Sequence, residues 1–181
     1  MAGTAPVSPI SPTSANIGEH DQPNVTRPGG VETTWRQLVA RGFEAVSKVA
    51  IDAPKAKVWD ALTNPAKVMQ YMHGTNLTTD WKVGSSIAWK GEWKGKSYVD
   101  KGTVLEVEPE KLLRYTHWSP MGGSPDEPEN YHAVTCLLAE KNGNTILTLT
   151  QDNNATQAEA DTMAKDNWGP MLEGLKKTAQ K

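Results

Sequence analysis

Histidine, cysteine and serine would carry metal, acid–base or nucleophilic chemistry in this chain, yet their spacing forms none of the usual motifs. The four histidines are His20, His73, His117 and His132. They form no HxH, HxxxH or HExxH motif, so no metal site is predicted. Cys136, the single cysteine, shares a strand face with Val134 and Leu138 and is expected to behave as a small hydrophobic residue. Since no serine lies in a GxSxG motif and no glycine-rich phosphate loop occurs, we predict no catalytic residue, no metal and no cofactor.

Aromatic side chains give the stronger signal, because the chain has 7 Trp and 4 Tyr but a single Phe. Most of its rings therefore carry an N–H or O–H group that can hydrogen-bond to a ligand. Rings and thioethers around a gap, with a few polar groups among them, are typical of a small-molecule pocket. The alternative is that the rings fill the core, which we expect for about half of them and above all for Trp59 and Trp168. The predicted ligand-binding residues are Tyr71, Trp81, Trp89, Trp93, Tyr115, His117, Trp118, Tyr131, His132, Met163, Trp168 and Met171.

His117 and His132 border a segment with three prolines and two glycines, Ser119–Asn130. Such a composition predicts an irregular, mobile loop, which would gate the pocket. The two histidines lie at strand ends on either side of this loop and are expected to face each other across neighbouring strands. A histidine that points into the pocket would be a polar anchor or a pH-sensitive group.

The hydrophobic periodicity of the sequence predicts the strands and helices that position these side chains. Residues 43–51 alternate as a strand, a short helix is expected to follow a cap at Asp52, and Pro65 begins a second short helix that ends near Tyr71. Five further strands are predicted around Ile87–Trp93, Tyr98–Val107, Leu112–Trp118, Tyr131–Glu140 and Thr145–Gln151. The last two strands are joined at Asn142-Gly143, a hairpin signal. The pattern of residues 156–177 predicts a long amphipathic helix that is kinked or interrupted at Pro170. The predicted fold class is α+β, with a curved six-stranded antiparallel sheet around the C-terminal helix.

Composition and charge exclude several classes of protein. With 181 residues, 19 basic and 21 acidic side chains and a net charge of -2, the chain lacks the basic patch of a nucleic-acid-binding protein. No apolar stretch approaches the ~20 residues of a membrane span, and the N-terminus does not resemble a signal peptide. We therefore expect a cytoplasmic protein, which agrees with its single cysteine. Residues 1–42, rich in proline and free of lysine, are expected to form a disordered or loosely docked extension, and residues 43–181 one domain.

The order of elements and four local sequences resemble the START-like helix-grip superfamily, in the branch named after the activator of the heat-shock protein 90 ATPase. The resemblance rests on APKAKVWDALTNP (53–65), VGSSIAWKGEWKGKSYVDKGTVLEVEPEKLLRYTHW (83–118), VTCLLAEKNGNTILTLTQDN (134–153) and NWGPMLEGLKK (167–177). It implies a hydrophobic ligand held between helix and sheet. The family's co-chaperone carries a further N-terminal domain with an NxNNWHW-type motif, and residues 1–42 have no such motif.

Three functions follow from these observations. The first is non-enzymatic binding of a small apolar or aromatic ligand. The second, implied by the resemblance, is co-chaperone-like modulation of a heat-shock protein 90 chaperone. The third is a cyclase or hydrolase activity that uses a histidine or tyrosine of the pocket, a chemistry known among distant relatives. The protein is expected to be a monomer or a weak dimer.

Overall fold

The first strand shows how the sequence pattern builds the sheet. In the computed structural model, which describes residues 41–181, β1 (Phe43–Ile51) buries every second side chain from Ala45 to Ile51. This period of two is that of a strand with one face on the core. Nearly all of the predicted N-terminal extension lies outside the described residues.

The sheet has seven antiparallel strands, so the prediction of six was wrong. After β1 come β2 (Asn76–Thr78), β3 (Ser86–Trp93), β4 (Lys96–Glu108), β5 (Leu112–His117), β6 (His132–Lys141) and β7 (Asn144–Asn154). Their spatial order is β1-β7-β6-β5-β4-β3-β2. The unpredicted strand, β2, has three residues and places Leu77 opposite Trp89 of β3. A segment this short cannot display an alternating pattern, so it escapes detection by periodicity.

The hairpin between β6 and β7 is the one that Asn142-Gly143 predicted. Lys141 pairs with Asn144, which leaves these two residues as the loop. Both have positive φ angles, 53° for Asn142 and 81° for Gly143. A two-residue loop with this backbone is a type I′ turn, whose twist matches that of the flanking strands.

Two short helices follow β1, as predicted. They are α1 (Lys55–Thr63) and α2 (Pro65–Tyr71). Pro54, rather than Asp52, occupies the N-cap position of α1, and no side chain caps that helix. In α2 the Asn64 side chain accepts a hydrogen bond from the Ala66 N–H and Pro65 begins the first turn, which is the usual place for proline in a helix.

The C-terminal helix runs from Gln157 to Ala179 in three parts. These are α3 (Gln157–Thr162), a π-helical segment (Met163–Trp168) and α4 (Gly169–Ala179). The irregularity was predicted at Pro170 but lies in the residues before it. The Gly169 N–H bonds to the carbonyl of Ala164, five residues back, and Ser47 Oγ of β1 donates to the same carbonyl at 2.8 Å. The wider turn thus ends where Pro170, which has no N–H to donate, begins α4.

The C-terminal helix packs on one face of the sheet, which we call the inner face, and contacts α1 and α2. Buried residues of β1, β5, β6, β7 and the helices form the main cluster, among them Ile51, Leu113, Val134, Leu147 and Leu172. A second cluster around Ile87, Trp89 and Val104 lies at the β2–β4 side. None of the helices within residues 41–181 is long and apolar enough to cross a membrane.

Candidate functional site

A small cavity remains between the C-terminal helix, α2 and the inner face of the sheet, with a free volume of about 40 Å³. Seven of the residues predicted to bind a ligand line this cavity. They are Tyr71, Trp81, Trp89, Tyr115, His117, Trp168 and Met171. Alternation in β3 and β5 explains three of them, because Trp89, Tyr115 and His117 point to the inner face.

Aliphatic side chains complete the wall and were not predicted. They include Leu62 of α1, Val68 of α2, Leu77 of β2 and Leu113 of β5. Each of them also belongs to a buried cluster. Sequence patterns assign such residues to the core in general, and only the packing decides which of them border free space.

Hydrogen bonds hold most of the polar ring atoms around the cavity. Tyr71 Oη donates to the Ala61 carbonyl at 3.1 Å, Trp81 Nε1 to the Thr63 carbonyl at 2.9 Å, and Trp168 Nε1 to Gln151 Oε1 at 2.9 Å. Trp81 adopts a left-handed backbone conformation with a φ of 57°. This conformation is strained for a bulky residue and is held here by the anchored indole.

Two wall groups are exceptions, because neither the Tyr115 hydroxyl nor the Trp89 indole N–H has a hydrogen-bond partner among residues 41–181. The Tyr115 ring packs against that of Trp89, with 5.4 Å between the centroids. Burial raises the pKa of Tyr115 well above its usual value, so the hydroxyl stays protonated and able to donate. It is a donor that a ligand in the cavity could use.

His117 brings a second polar group to the cavity. Its Nε2 donates to Asp100 Oδ2 of β4 at 3.2 Å, and its ring meets Trp89 edge-on with 5.3 Å between the centroids. The side chains of His117 and Asp100 are 22% and 15% exposed. Asp100 was not predicted, although it lies directly opposite Trp89 in the β3–β4 pairing.

Cys136 lies in the cavity wall as a buried free thiol. Burial raises its pKa to about 12. Since the thiolate is the nucleophilic form, this thiol is inert at neutral pH. The site therefore offers hydrogen bonding and apolar contact but no cysteine nucleophile.

Trp93 does not line the cavity, contrary to the prediction. It lies at the end of β3, 45% exposed, with its ring 5.4 Å from that of His73. Its position in the alternation is that of Trp89, but Trp93 is the last residue of β3 and is not among the residues that line the cavity. Lys94 Nζ lies 6.0 Å from the ring centroid.

Trp118 and Tyr131 lie on the opposite, outer face of the sheet, so their predicted place in the pocket was also wrong. Trp118 pairs with Lys101, the residue after Asp100, and alternation turns both away from His117. The Trp118 indole donates to the Ser124 carbonyl at 3.2 Å and stacks on Tyr131. The segment predicted to gate the pocket therefore folds over the outer face. It contains two 3₁₀ turns, Pro120–Gly122 and Pro128–Asn130.

His132 and Met163 are the two remaining predicted residues outside the cavity wall. His132 is paired with His117 across β5 and β6, as predicted. Its Nδ1 donates to the Asp152 carbonyl at 2.8 Å, and burial lowers its pKa. Met163 is half-buried at the start of the π-helical segment. Within the described part of the chain, no group of three or more His, Cys, Asp or Glu side chains is placed to bind a metal ion.

Comparison with known proteins places the chain among relatives of one fold. The family model of Activator of Hsp90 ATPase homolog 1-like protein matches residues 52–180. The solution structure of ChR145 from Cytophaga hutchinsonii is 50% identical, covers 77% of this chain and 94% of its own, and superimposes with a TM-score of 0.67. The crystal structure of MLL2253 from Mesorhizobium loti is 26% identical, with coverages of 75% and 96% and a TM-score of 0.62.

A third structure, the Aha1 dimer from Colwellia psychrerythraea, is 18% identical, with coverages of 76% and 96% and a TM-score of 0.60. At that identity the likeness concerns the fold alone. No curated protein matches the chain. The family model spans well over half of the sequence and includes every strand but β1, together with the C-terminal helix that closes the cavity. The chain therefore belongs to the Activator of Hsp90 ATPase homolog 1-like family, with the START-like helix-grip fold that its sequence resembles.

Proposed function

We propose that this protein binds a small hydrophobic or aromatic ligand, without turnover, in the cavity between the sheet and the C-terminal helix. The observation that carries the proposal is the Tyr115 hydroxyl, which makes no hydrogen bond to any of residues 41–181 and belongs to a wall of indole rings and aliphatic side chains. A ligand oxygen that accepts a hydrogen bond from this hydroxyl would contribute about 1 kcal/mol net. The proposed location is the cytoplasm.

Binding requires the cavity to widen. A cavity of about 150 Å³ accommodates benzene, whereas the free volume here is about 40 Å³. Trp168 and Met171 are the wall residues suited to move, because they flank the junction between the π-helical segment and α4. Trp168 is held by a single hydrogen bond to Gln151, and methionine adapts readily to new shapes.

The test compares two aromatic probes of similar shape, toluene and 4-methylphenol, by titration of indole fluorescence. Both are expected to change the emission, because three indole rings, Trp81, Trp89 and Trp168, border the cavity. Tyr115→Phe should weaken binding of 4-methylphenol about fivefold, the value of one net hydrogen bond of ~1 kcal/mol. It should leave toluene binding unchanged, because toluene has no oxygen.

Two variants serve as controls. Tyr131→Phe makes the same chemical change on the outer face and should affect neither probe. Trp93→Phe removes an exposed indole that does not border the cavity and should preserve the ligand-dependent change. If neither probe alters the fluorescence or the melting temperature at saturation, the protein has no such ligand site and the proposal fails.

A second candidate function is modulation of the ATPase of a heat-shock protein 90 chaperone, which the description of the matched family favours. The expected result is that the full chain, added to the chaperone of the same organism, increases its rate of ATP hydrolysis. The measurement is a coupled ATPase assay, with a chaperone-specific inhibitor to subtract background turnover. An unchanged rate at saturating protein would exclude this function.

A further inference from the structure

His117 borders the cavity and forms a pair with Asp100 of the neighbouring strand β4. We propose that this pair selects ligands with a weakly acidic hydroxyl group, such as phenols and enols, and that His117 accepts the proton of that hydroxyl. The inference deepens the proposed function, since it depends on a ligand entering the same cavity. It names the chemical class of that ligand.

The tautomer of His117 follows from its partner. A carboxylate can only accept a hydrogen bond, so Nε2 carries the hydrogen that is donated to Asp100 at 3.2 Å. A neutral imidazole then has its lone pair on Nδ1. Among residues 41–181, Nδ1 has no hydrogen-bond partner, and it is not one of the buried polar atoms that lack one, so it is accessible. Since His117 borders the cavity, Nδ1 is the nitrogen that we assign to contact a bound ligand.

Asp100 acts as a positioning residue behind the imidazole. Its Oδ1 is buried without a partner, so the carboxylate depends on His117 for the compensation of its charge. A positive charge on the imidazole would lie next to this carboxylate and be stabilised by it. Asp100 thus fixes the orientation of the ring.

The other groups around His117 do not compete for this proton. Trp89, on β3, faces the ring and does not titrate. His132, across the strand pair on β6, has a pKa lowered by burial and donates Nδ1–H to the Asp152 carbonyl, so it stays neutral. Trp168 and Met171 bring no charge from the C-terminal helix. Tyr115, two residues earlier on the same strand face, stays a neutral donor.

The proton transfer balances within the site. The ligand O–H bond breaks, its proton binds Nδ1 of His117, and the electron pair remains on the ligand oxygen as a phenolate or enolate. The imidazolium then lies between that anion and the Asp100 carboxylate, so the net charge of the site does not change. The Tyr115 hydroxyl, on the same wall, would donate a hydrogen bond to the anionic oxygen.

The experiment uses 4-nitrophenol, whose phenolate absorbs visible light, and 4-nitroanisole, which has a methyl group in place of the proton. With the full chain at a slightly acidic pH, bound 4-nitrophenol should show the phenolate spectrum although the free compound is protonated. It should also bind roughly tenfold more tightly than 4-nitroanisole, which corresponds to one pKa unit. His117→Gln and Asp100→Asn should each return the bound spectrum to that of the neutral phenol.

Binding of 4-nitroanisole separates this inference from the proposed function and shows that the variants are folded. If the variants bind 4-nitroanisole normally and lose only the phenolate spectrum, the proton-accepting pair is established. If wild-type protein binds both compounds equally and bound 4-nitrophenol stays neutral, the inference is overturned while the ligand site stands. If neither compound binds, the proposed function fails together with the inference.

Discussion

His132 and His117 are paired on neighbouring strands but have different hydrogen-bond environments. His132 faces His117 across β5 and β6 but is satisfied within the protein, through Nδ1–H and the Asp152 carbonyl. Asp152 is buried and its Oδ1 accepts the Ala133 N–H as well. His132 therefore supports the sheet, whereas Nδ1 of His117 makes no hydrogen bond to any of residues 41–181.

The lowered pKa of His132 makes stability depend on pH. Above the ordinary histidine pKa of about 6.5, His132 is neutral in both the folded and the unfolded protein. Below that pH the histidine binds a proton in the unfolded chain, whereas in the folded protein its lowered pKa keeps it neutral. The free energy of unfolding is therefore expected to decrease from about pH 7.5 to about pH 5.5, and His132→Gln should decrease less. Urea denaturation at both pH values measures the difference.

Titration of the aspartate carboxylates does not interfere with the comparison of wild type and His132→Gln between about pH 5.5 and about pH 7.5. Asp60, Asp80 and Asp126 have pKa values below their usual range, Asp60 and Asp126 through a lysine and Asp80 chiefly through the Lys82 backbone N–H, so their contribution is lost only in stronger acid. An equal decrease in wild type and His132→Gln would mean that another group titrates with folding.

Strand alternation correctly predicted that Trp89, Tyr115 and His117 line the cavity. The prediction failed for Trp118 and Tyr131, which were assigned to the cavity because they lie beside the loop that was expected to gate it. Trp118 follows His117 directly and must therefore point to the other face. Tyr131 likewise precedes His132. Asp100 carries a sequence signal that was overlooked, a single carboxylate at an inner-face position of β4, opposite Trp89.

Between the elements, the closest backbone approach beside the cavity occurs where β4 meets β5 at Gly102. A Cβ atom at this position would lie 1.9 Å from the Thr116 carbonyl oxygen, and the Trp89 ring is also within 3.2 Å. Both neighbours are held, one as backbone and the other as a buried side chain. Only glycine permits this approach.

Gly102→Ala is accordingly expected to reduce the free energy of unfolding by about 1–3 kcal/mol, the usual cost of overpacking. Gly122→Ala is the matched control, because a Cβ there meets no atom within 4 Å. Its effect should stay within ~0.5 kcal/mol. Chemical denaturation of both variants decides the matter, and equal midpoints would show that the strands can separate at Gly102 without penalty.

Element boundaries were predictable where a residue imposes them. Pro65 begins α2 and Asn142-Gly143 forms the β6–β7 turn, each through its own backbone preference. The strand β2 was not predictable, since three residues pair with β3 only once Leu77 packs over Trp89. The π-helical segment depends on a contact from β1, the Ser47 hydroxyl, which is distant in sequence.

For the whole molecule, the α+β architecture followed from the order of elements and from the family resemblance. The size of the cavity could not be predicted from the sequence, because it is the small volume that remains unfilled after many side chains have packed. Replacement of one wall residue by a smaller one would change the free volume by an amount comparable to the cavity itself. Periodicity identifies which faces meet, but the space between them depends on every side chain at once.

The π-helical segment also sets the rotational phase of the C-terminal helix. Ala160 in α3 and Leu172 in α4 are both buried, yet in an uninterrupted α-helix positions twelve apart point about 120° away from each other. The π-helical turn contains one extra residue, so Ala160 and Leu172 are related as if they were eleven positions apart. Their directions around the helix axis then differ by only about 20°. A deletion of one residue within Met163–Trp168 would therefore keep both buried stripes aligned, whereas the same deletion within α4 would turn the part of the helix beyond it away from the sheet.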